Sequence, residues 1–250
     1  MKQADLHIHS CFCDGKDTPE DIVQNAIAKG MREIGILTHS NVFSDEEYRV
    51  RQEKFHAFIA EISRLKEKYS GRIGIRCGVE QDLYSFFPTD HFDYVIGSQH
   101  FIKRGEKYYP VDNNEKTLLK IVEEVFDGDF FELAKEYYRM EKEIIDRTGA
   151  GIIGHFDLIT KFNEGGRLFD TSDERYVSFW KETVDHLLPY GVPFEINTGA
   201  ISRGYRTLPY PEADIISYIK EKGGKLILSS DSHWKETVGF MFEEFEYLLK

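Results

Sequence analysis

The chain has 250 residues, a length that suits one α/β barrel or two smaller units, and a single domain over residues 1–250 is expected. Aliphatic and aromatic residues make up 41% and charged residues 30%, the balance of a soluble protein with a sizeable core, which excludes a disordered chain. A formal charge of −12 without a Lys/Arg run argues against nucleic-acid binding, and no apolar stretch has the length of a signal or membrane segment, so a cytoplasmic protein with no membrane partner is expected.

Short apolar runs alternate with longer amphipathic stretches along the chain. A strand is predicted at residues 4–8, then a helix at 18–29 opened by Thr18-Pro19-Glu20. A strand at 33–37 follows, and a long helix at 44–69 starting Ser44-Asp45-Glu46-Glu47. Strands at 73–79 and 94–96 precede helices at 114–125 and 130–147. The remaining strands are 151–154, 193–196 and 225–228, with helices at 172–187, 211–221 and 235–249. Stretches 81–93 and 163–171 read as loops that could rim a site. Repeated strand-then-helix order predicts a mostly parallel sheet. With no linker or shift in composition to divide the chain, seven strands suit a closed or nearly closed β/α barrel better than an open doubly wound sheet.

Imidazoles and carboxylates fall at the carboxyl ends of these strands, the catalytic face of a β/α barrel. His7 and His9 end the first strand, His39 follows the second, Glu80 the third, His100 the fourth, His155 the fifth, and Asp231 with His233 the seventh. Residues two apart on a strand project to one side, so His7 with His9, and Asp231 with His233, can each grip one ion. Such nitrogen and oxygen ligands suit zinc, iron or manganese. Asp14 lies in the next loop, where a turn could return it to the site, and Glu80 is the carboxylate best placed to bridge two ions.

A lone histidine near a strand end is usually structural, but six of nine on one face form a pattern. His56 and His186 fall in predicted helices and His91 in a loop, and these read as structural. Glu46, Glu47, Glu123 and Glu124 read as ordinary exposed acids. Cys11, Cys13 and Cys77 are too few for a disulfide framework and read as reduced thiols, although Cys11 and Cys13 lie close enough to His7 and His9 to make a thiolate ligand conceivable.

The segments Asp5-Leu6-His7-Ile8-His9-Ser10, Asp14-Gly15, Leu37-Thr38-His39, Gly78-Val79-Glu80, Gly97-Ser98-Gln99-His100-Phe101, Ile153-Gly154-His155 and Ser230-Asp231-Ser232-His233 resemble, in order, the polymerase and histidinol phosphatase (PHP) family. The resemblance implies a distorted seven-stranded β/α barrel holding up to three divalent ions. By position, His7, His9, Glu80 and Asp231 would form one site, Glu80, His100 and His155 a second, and Asp14, His39 and His233 a third. Ser40 and Gln99 depart from the family pattern without removing a ligand. Residues 97–101 together with Tyr109-Pro110-Val111-Asp112 look most like the histidinol-phosphate phosphatase branch.

That branch implies hydrolysis of the small phosphate ester L-histidinol phosphate, a step of histidine biosynthesis. Two ions about 3.5–4 Å apart can activate a bridging water for attack on phosphorus. Glu80 would set the separation, and Asp231 is the candidate for proton handling. Arg203 and Lys161 are the best-placed phosphate-binding cations, with Arg167 and Arg206 in reserve. The alternatives are a phosphodiesterase or exonuclease, a protein-tyrosine or nucleotide phosphatase with the same cluster, and a non-enzymatic module that keeps metals for structure.

Overall fold

The computed structural model describes residues 4–40 and 52–250. Its elements run β1 (Ala4–His9), α1 (Pro19–Ala28), β2 (Glu33–His39), α2 (Gln52–Lys68), β3 (Gly74–Asp82), β4 (Tyr94–Ser98), β5 (Phe101–Arg104), β6 (Lys107–Pro110) and α3 (Glu115–Val125). They continue with α4 (Phe130–Glu141), α5 (Ile144–Thr148), β7 (Ile152–Ile153), α6 (Glu174–Leu187), β8 (Phe194–Asn197), α7 (Gly199–Ser202), α8 (Ala213–Glu221), β9 (Leu226–Ser229) and α9 (Phe242–Phe245).

Seven strands pair in the order β1-β2-β3-β4-β7-β8-β9, every pair parallel. Closure comes from a parallel bridge between Ile8 and Ser232, with His9 N–H donating to the Ser232 carbonyl (2.8 Å) and Ser232 N–H to the His7 carbonyl (3.1 Å). The sheet is therefore a nearly closed barrel, distorted by the shortness of β7 and a register shift between Asp5 and Ile8. All seven predicted barrel strands are present.

A barrel strand is covered on both faces, which explains the near-continuous burial of β2 from Ile34 to Thr38. Ile8, Ile34 and Ile36 pack with Val23 of α1 and Phe58 of α2, each large side chain contributing about 1.5–3 kcal/mol by leaving water. A second apolar cluster joins α4, α6 and α8 through Tyr138, Trp180 and Ile219. Inside the barrel Tyr94 reaches the Leu6 carbonyl (2.5 Å). A Cβ on Gly35 or Gly78 would lie 2.1 or 2.3 Å from its ring or hydroxyl, so both positions require glycine. Thr18 caps α1 by accepting from Asp21 N–H (3.2 Å), and Asn114 caps α3 by accepting from Thr117 N–H (2.9 Å).

Three expectations change. The predicted helix at 130–147 is two helices, α4 and α5, interrupted at Lys142 and Glu143. The predicted helix at 235–249 breaks into short turns around α9, because Gly239 and Met241 take positive φ (66° and 55°), which no helix interior allows. The stretch following β4, to which no element was assigned from the sequence, is a hairpin, β5 with β6. The start of the helix predicted from Ser44, with Glu46 and Glu47, lies outside the described residues.

Candidate metal centre

The carboxyl ends of the strands converge on one carboxylate, Glu80 of β3. Its Oε2 lies 3.5 Å from Nε2 of His7 and of His9 and 3.0 Å from His39 Nδ1. Its Oε1 lies 3.0 Å from His155 Nε2 and 3.3 Å from His100 Nε2. Asp231 Oδ1 stands 3.7 and 3.5 Å from Nε2 of His7 and His9. Asp14 approaches His9 (3.5 Å), His39 (3.4 Å) and His233 (2.9 Å).

Local backbone explains how a loop residue reaches the centre. The chain after β1 turns through Cys13 N–H to the Ser10 carbonyl, and Lys16 N–H then donates to the His233 carbonyl (2.9 Å). A Cβ on Gly15 would sit 2.6 Å from the His9 carbonyl group, so the glycine after Asp14 is what lets the turn close over β1.

The donors suit metal ions. Four ligand atoms about 2.0–2.1 Å from one zinc ion are separated by roughly 3.3 Å, close to most of the spacings above. His7 Nε2, His9 Nε2, Asp14 Oδ1 and Glu80 Oε2 are buried without a hydrogen-bond partner, which would cost about 1–3 kcal/mol each if nothing else bound them. Three groups of ligand atoms are each compact enough for one ion: His9, Asp14, His39 and His233; His7, His9 and Glu80; and Glu80, His100 and His155. Among the described residues, eight of the nine sequence-predicted ligands fall in these groups, and the layout changes twice: Asp231, expected with His7, His9 and Glu80, stands beside them paired with Arg203 rather than in a group. His9 belongs to two groups as Glu80 does, because its Nδ1 faces Asp14 while its Nε2 faces Glu80 and Asp231.

Charge is distributed for cation binding. Burial works against an ionised Glu80, yet His7, His39 and His100 outweigh it and hold its carboxyl well below the usual range. Burial likewise opposes ionisation of Asp231, which Arg203 and His7 reverse. Burial, aided by the charges of His233 and His39, lowers His9 to about 3, leaving a neutral imidazole. For His100, Glu80 and Asp82 overcome burial and raise the ring to about 10.

Residues behind the ligands fix their orientation. Glu195 accepts from His7 Nδ1 (2.8 Å), from the His155 backbone N–H (3.1 Å) and from Asn197 Nδ2 (3.1 Å). Asp82 takes the His100 backbone N–H (3.0 Å) and faces its Nδ1 (3.3 Å). Arg203 donates from one guanidinium nitrogen to the Asp231 carbonyl (3.0 Å) and from the other to its Oδ2 (2.8 Å). This clasp holds Asp231 at a positive φ of 45°, against Gly199, where a Cβ would lie 2.7 Å from the aspartate.

Glu195 and Asp82 were not anticipated. The available signal was a charged residue inside an apolar strand run, in Phe194-Glu195-Ile196. Lys161 is not a free cation: its Nζ donates to the Asp112 carbonyl (2.6 Å) and pairs with that carboxylate (3.5 Å). Arg206 is buried against Thr160, and Arg167 pairs with Glu115 at the surface, so neither reserve cation joins the cluster. Burial and the charge of Asp14 push the Cys13 thiol up, so it stands beside His9 (3.5 Å) as a thiol rather than a thiolate ligand. His56 and His91 meet the Phe55 ring edge-on or tilted, and His186 is tilted against Tyr190, apart from the centre.

A β/α barrel with a histidine and carboxylate cluster at its strand ends, able to hold several ions, is the architecture of a metal-dependent phosphoesterase. Residues 5–199 match the PHP domain, and the chain belongs to that family. Asp231, His233 and Arg203 lie beyond the matched segment, and the barrel brings them back to it. The histidinol-phosphatase of Bacillus subtilis is 26% identical over 98% of this chain and 98% of its own. That of Lactococcus lactis is 27% identical over 93% of this chain and 85% of its own. Among solved structures, a Listeria monocytogenes protein aligns with a TM-score of 0.83 at 19% identity, covering 97% of this chain and all of the other (100%). The Lactococcus lactis histidinol phosphate phosphatase, complexed with zinc, L-histidinol and phosphate, aligns at 0.76 and 22% identity, covering 99% and 92%.

Proposed function

We propose that this chain hydrolyses L-histidinol phosphate to L-histidinol and inorganic phosphate, with His7, His9, Asp14, His39, Glu80, His100, His155, Asp231 and His233 as ligands for up to three divalent ions. The observation that carries the reading is a cluster open on one side. The side chains of His7, His9 and Glu80 are at most 1% exposed, whereas those of Asp14, His39, His100 and His233 are 15–19% exposed and Arg203 stands with them at 19%. The family relationship and the relatives' activities point the same way.

Bound ions would neutralise phosphoryl oxygens and lower the pKa of water at the centre. The chain's own groups do the rest. Arg203 adds positive charge where the phosphate would sit, while keeping Asp231 ionised. Asp231 is the residue we assign to accept the proton of the attacking water and return it to the leaving alkoxide. Burial alone would raise the Asp112 carboxyl, but Lys161, His100, His155 and Arg203 hold it below its usual range, as a carboxylate suited to the ammonium of an amino-alcohol leaving group. Lys161 fixes Asp112 in place through its carbonyl and carboxylate and, with Arg203, supplies positive charge for the phosphate.

A single enzyme domain in the cytoplasm fits this reading: the three cysteines are free, and among the described residues no helix is long and apolar enough to cross a membrane. The test is phosphate release by metal-loaded protein from L-histidinol phosphate, phosphotyrosine and a nucleoside monophosphate, with single-stranded DNA degradation alongside. We expect kcat/KM for the first to exceed the others by at least about a hundredfold. Equal or reversed preference rejects the substrate while leaving the metal centre in place.

A further inference from the structure

Outside the metal centre, a cavity of about 300 Å³ lies between the β5–β6 hairpin, the loop after β3 and helices α4 and α5. That is the lower end of the range for small-ligand sites, so its occupant would be a metabolite rather than a macromolecule. Its wall carries three cations, Lys103, Arg139 and Arg147, against one carboxylate, Glu136. In a chain of net charge −12 this is a local reversal of sign. Arg139 is forked onto Glu136 (2.9 and 2.7 Å), and Arg147 is tied to Glu143 (2.6 Å). Lys103, whose Nζ sits 5.1 Å from the centre of the Tyr108 ring, has no carboxylate partner among the described residues.

The cavity is also aromatic. Tyr84 and Tyr108 meet edge to face at 5.4 Å, and Phe86 stands at the rim 83% exposed, a ring left in water beside a charged hollow. A cation without a carboxylate partner, Lys103, near one exposed ring, Phe86, suits an acid group joined to a flat ring.

Two of these residues are tied to the metal centre. Tyr84 N–H donates to Asp82 Oδ1 (2.8 Å), and the other oxygen of Asp82 holds the His100 backbone N–H (3.0 Å). Lys103 lies on β5, three residues beyond His100. A ligand seated between Tyr84 and Lys103 thus contacts both segments that position His100.

We propose that this cavity is a second ligand site, taking a small carboxylate on a planar ring, and that its occupant alters metal affinity through Asp82 and His100. Such coupling works in both directions. Benzoate is the probe, titrated calorimetrically into zinc-loaded protein whose active centre is saturated with orthophosphate. Saturable one-site binding is expected, weakened about tenfold in both Lys103→Ala and Phe86→Ala and retained in Lys103→Arg, with acetate and benzyl alcohol each binding more weakly than benzoate. Absent saturation, equal binding in wild type and both alanine variants, or acetate matching benzoate overturns the site. Benzoate should also shift zinc affinity, read by chelator competition, at least about twofold in wild type and not in Lys103→Ala. No shift in wild type overturns the coupling. Neither measurement uses turnover, so the outcome is separate from the substrate assignment.

Discussion

The two halves of the barrel hold their ligands by different means. In the first half, β1, β2 and β3 are six, seven and nine residues long, and His7, His9, His39 and Glu80 belong to the strands themselves. Ladder hydrogen bonds fix those side chains directly. In the second half, β7, β8 and β9 have two, four and four residues, and His155, Asp231 and His233 lie beyond the strand ends. There Glu195, Arg203 and the turn carrying Asp14 do what strand register does on the other side. The difference teaches that a strand-borne side chain reaches the centre by register, with a partner such as Glu195 setting only the turn of the His7 ring, whereas one placed by loop needs a second residue to reach the centre at all.

The comparison can be broken first at its centre. Glu80→Gln removes the carboxylate shared by both halves, and we expect loss of bound metal together with a fall in phosphate release of at least about a thousandfold. Metal analysis and turnover on the same sample check it, and full activity in a metal-depleted sample would refute the mechanism. Glu195→Gln, which spares every ligand, should weaken metal affinity by about 10–100-fold through His7 and His155. An unchanged affinity there would mean that β8 contributes only packing.

Acidity gives a graded test. His100 is raised from 6.5 to about 10, so its protonated form stabilises the metal-free fold fully below about pH 6.5, and that contribution is lost as pH rises through about 10. An ion at Glu80, His100 and His155 must displace this proton. Zinc affinity should therefore rise between pH 6.5 and 10, by up to about tenfold per unit for each proton released, as followed by chelator competition. A flat profile would place His100 outside the ligand set. The smallest effect belongs to a residue that serves neither half of the centre: Thr18→Ala should cost about 1 kcal/mol in a denaturant titration by uncapping α1 and leave kcat unchanged.

The same division decides what was legible in the sequence. Barrel strands announce themselves as apolar runs, and strand-borne ligands such as Glu80 follow from a polar residue at the end of one. Asp14 was weak by spacing because its approach depends on Gly15 and on a hydrogen bond to His233, over 200 residues away. The partners Glu195 and Asp82 are ordinary acids until tertiary packing places a histidine beside them. The β5–β6 hairpin is hard to see in the sequence because its strands are only four residues each, although Gly105, at φ 59°, marks the turn. The final helix failed because helical periodicity in 235–249 took no account of the break at Gly239 and Met241.

The seam between β1 and β9 has a further consequence. It is stitched by two backbone hydrogen bonds and by Asp5, which accepts from Ser230 and Gly239. His7 and His9 stand on one lip and Asp231 and His233 on the other. An ion held by both lips would clasp the two ends of the barrel together, so stripping it should open this seam before any other. Faster amide hydrogen exchange at His9 and Ser232 than at the β2–β3 ladder would register that opening, making the catalytic ions a mechanical part of the protein as well as a chemical one.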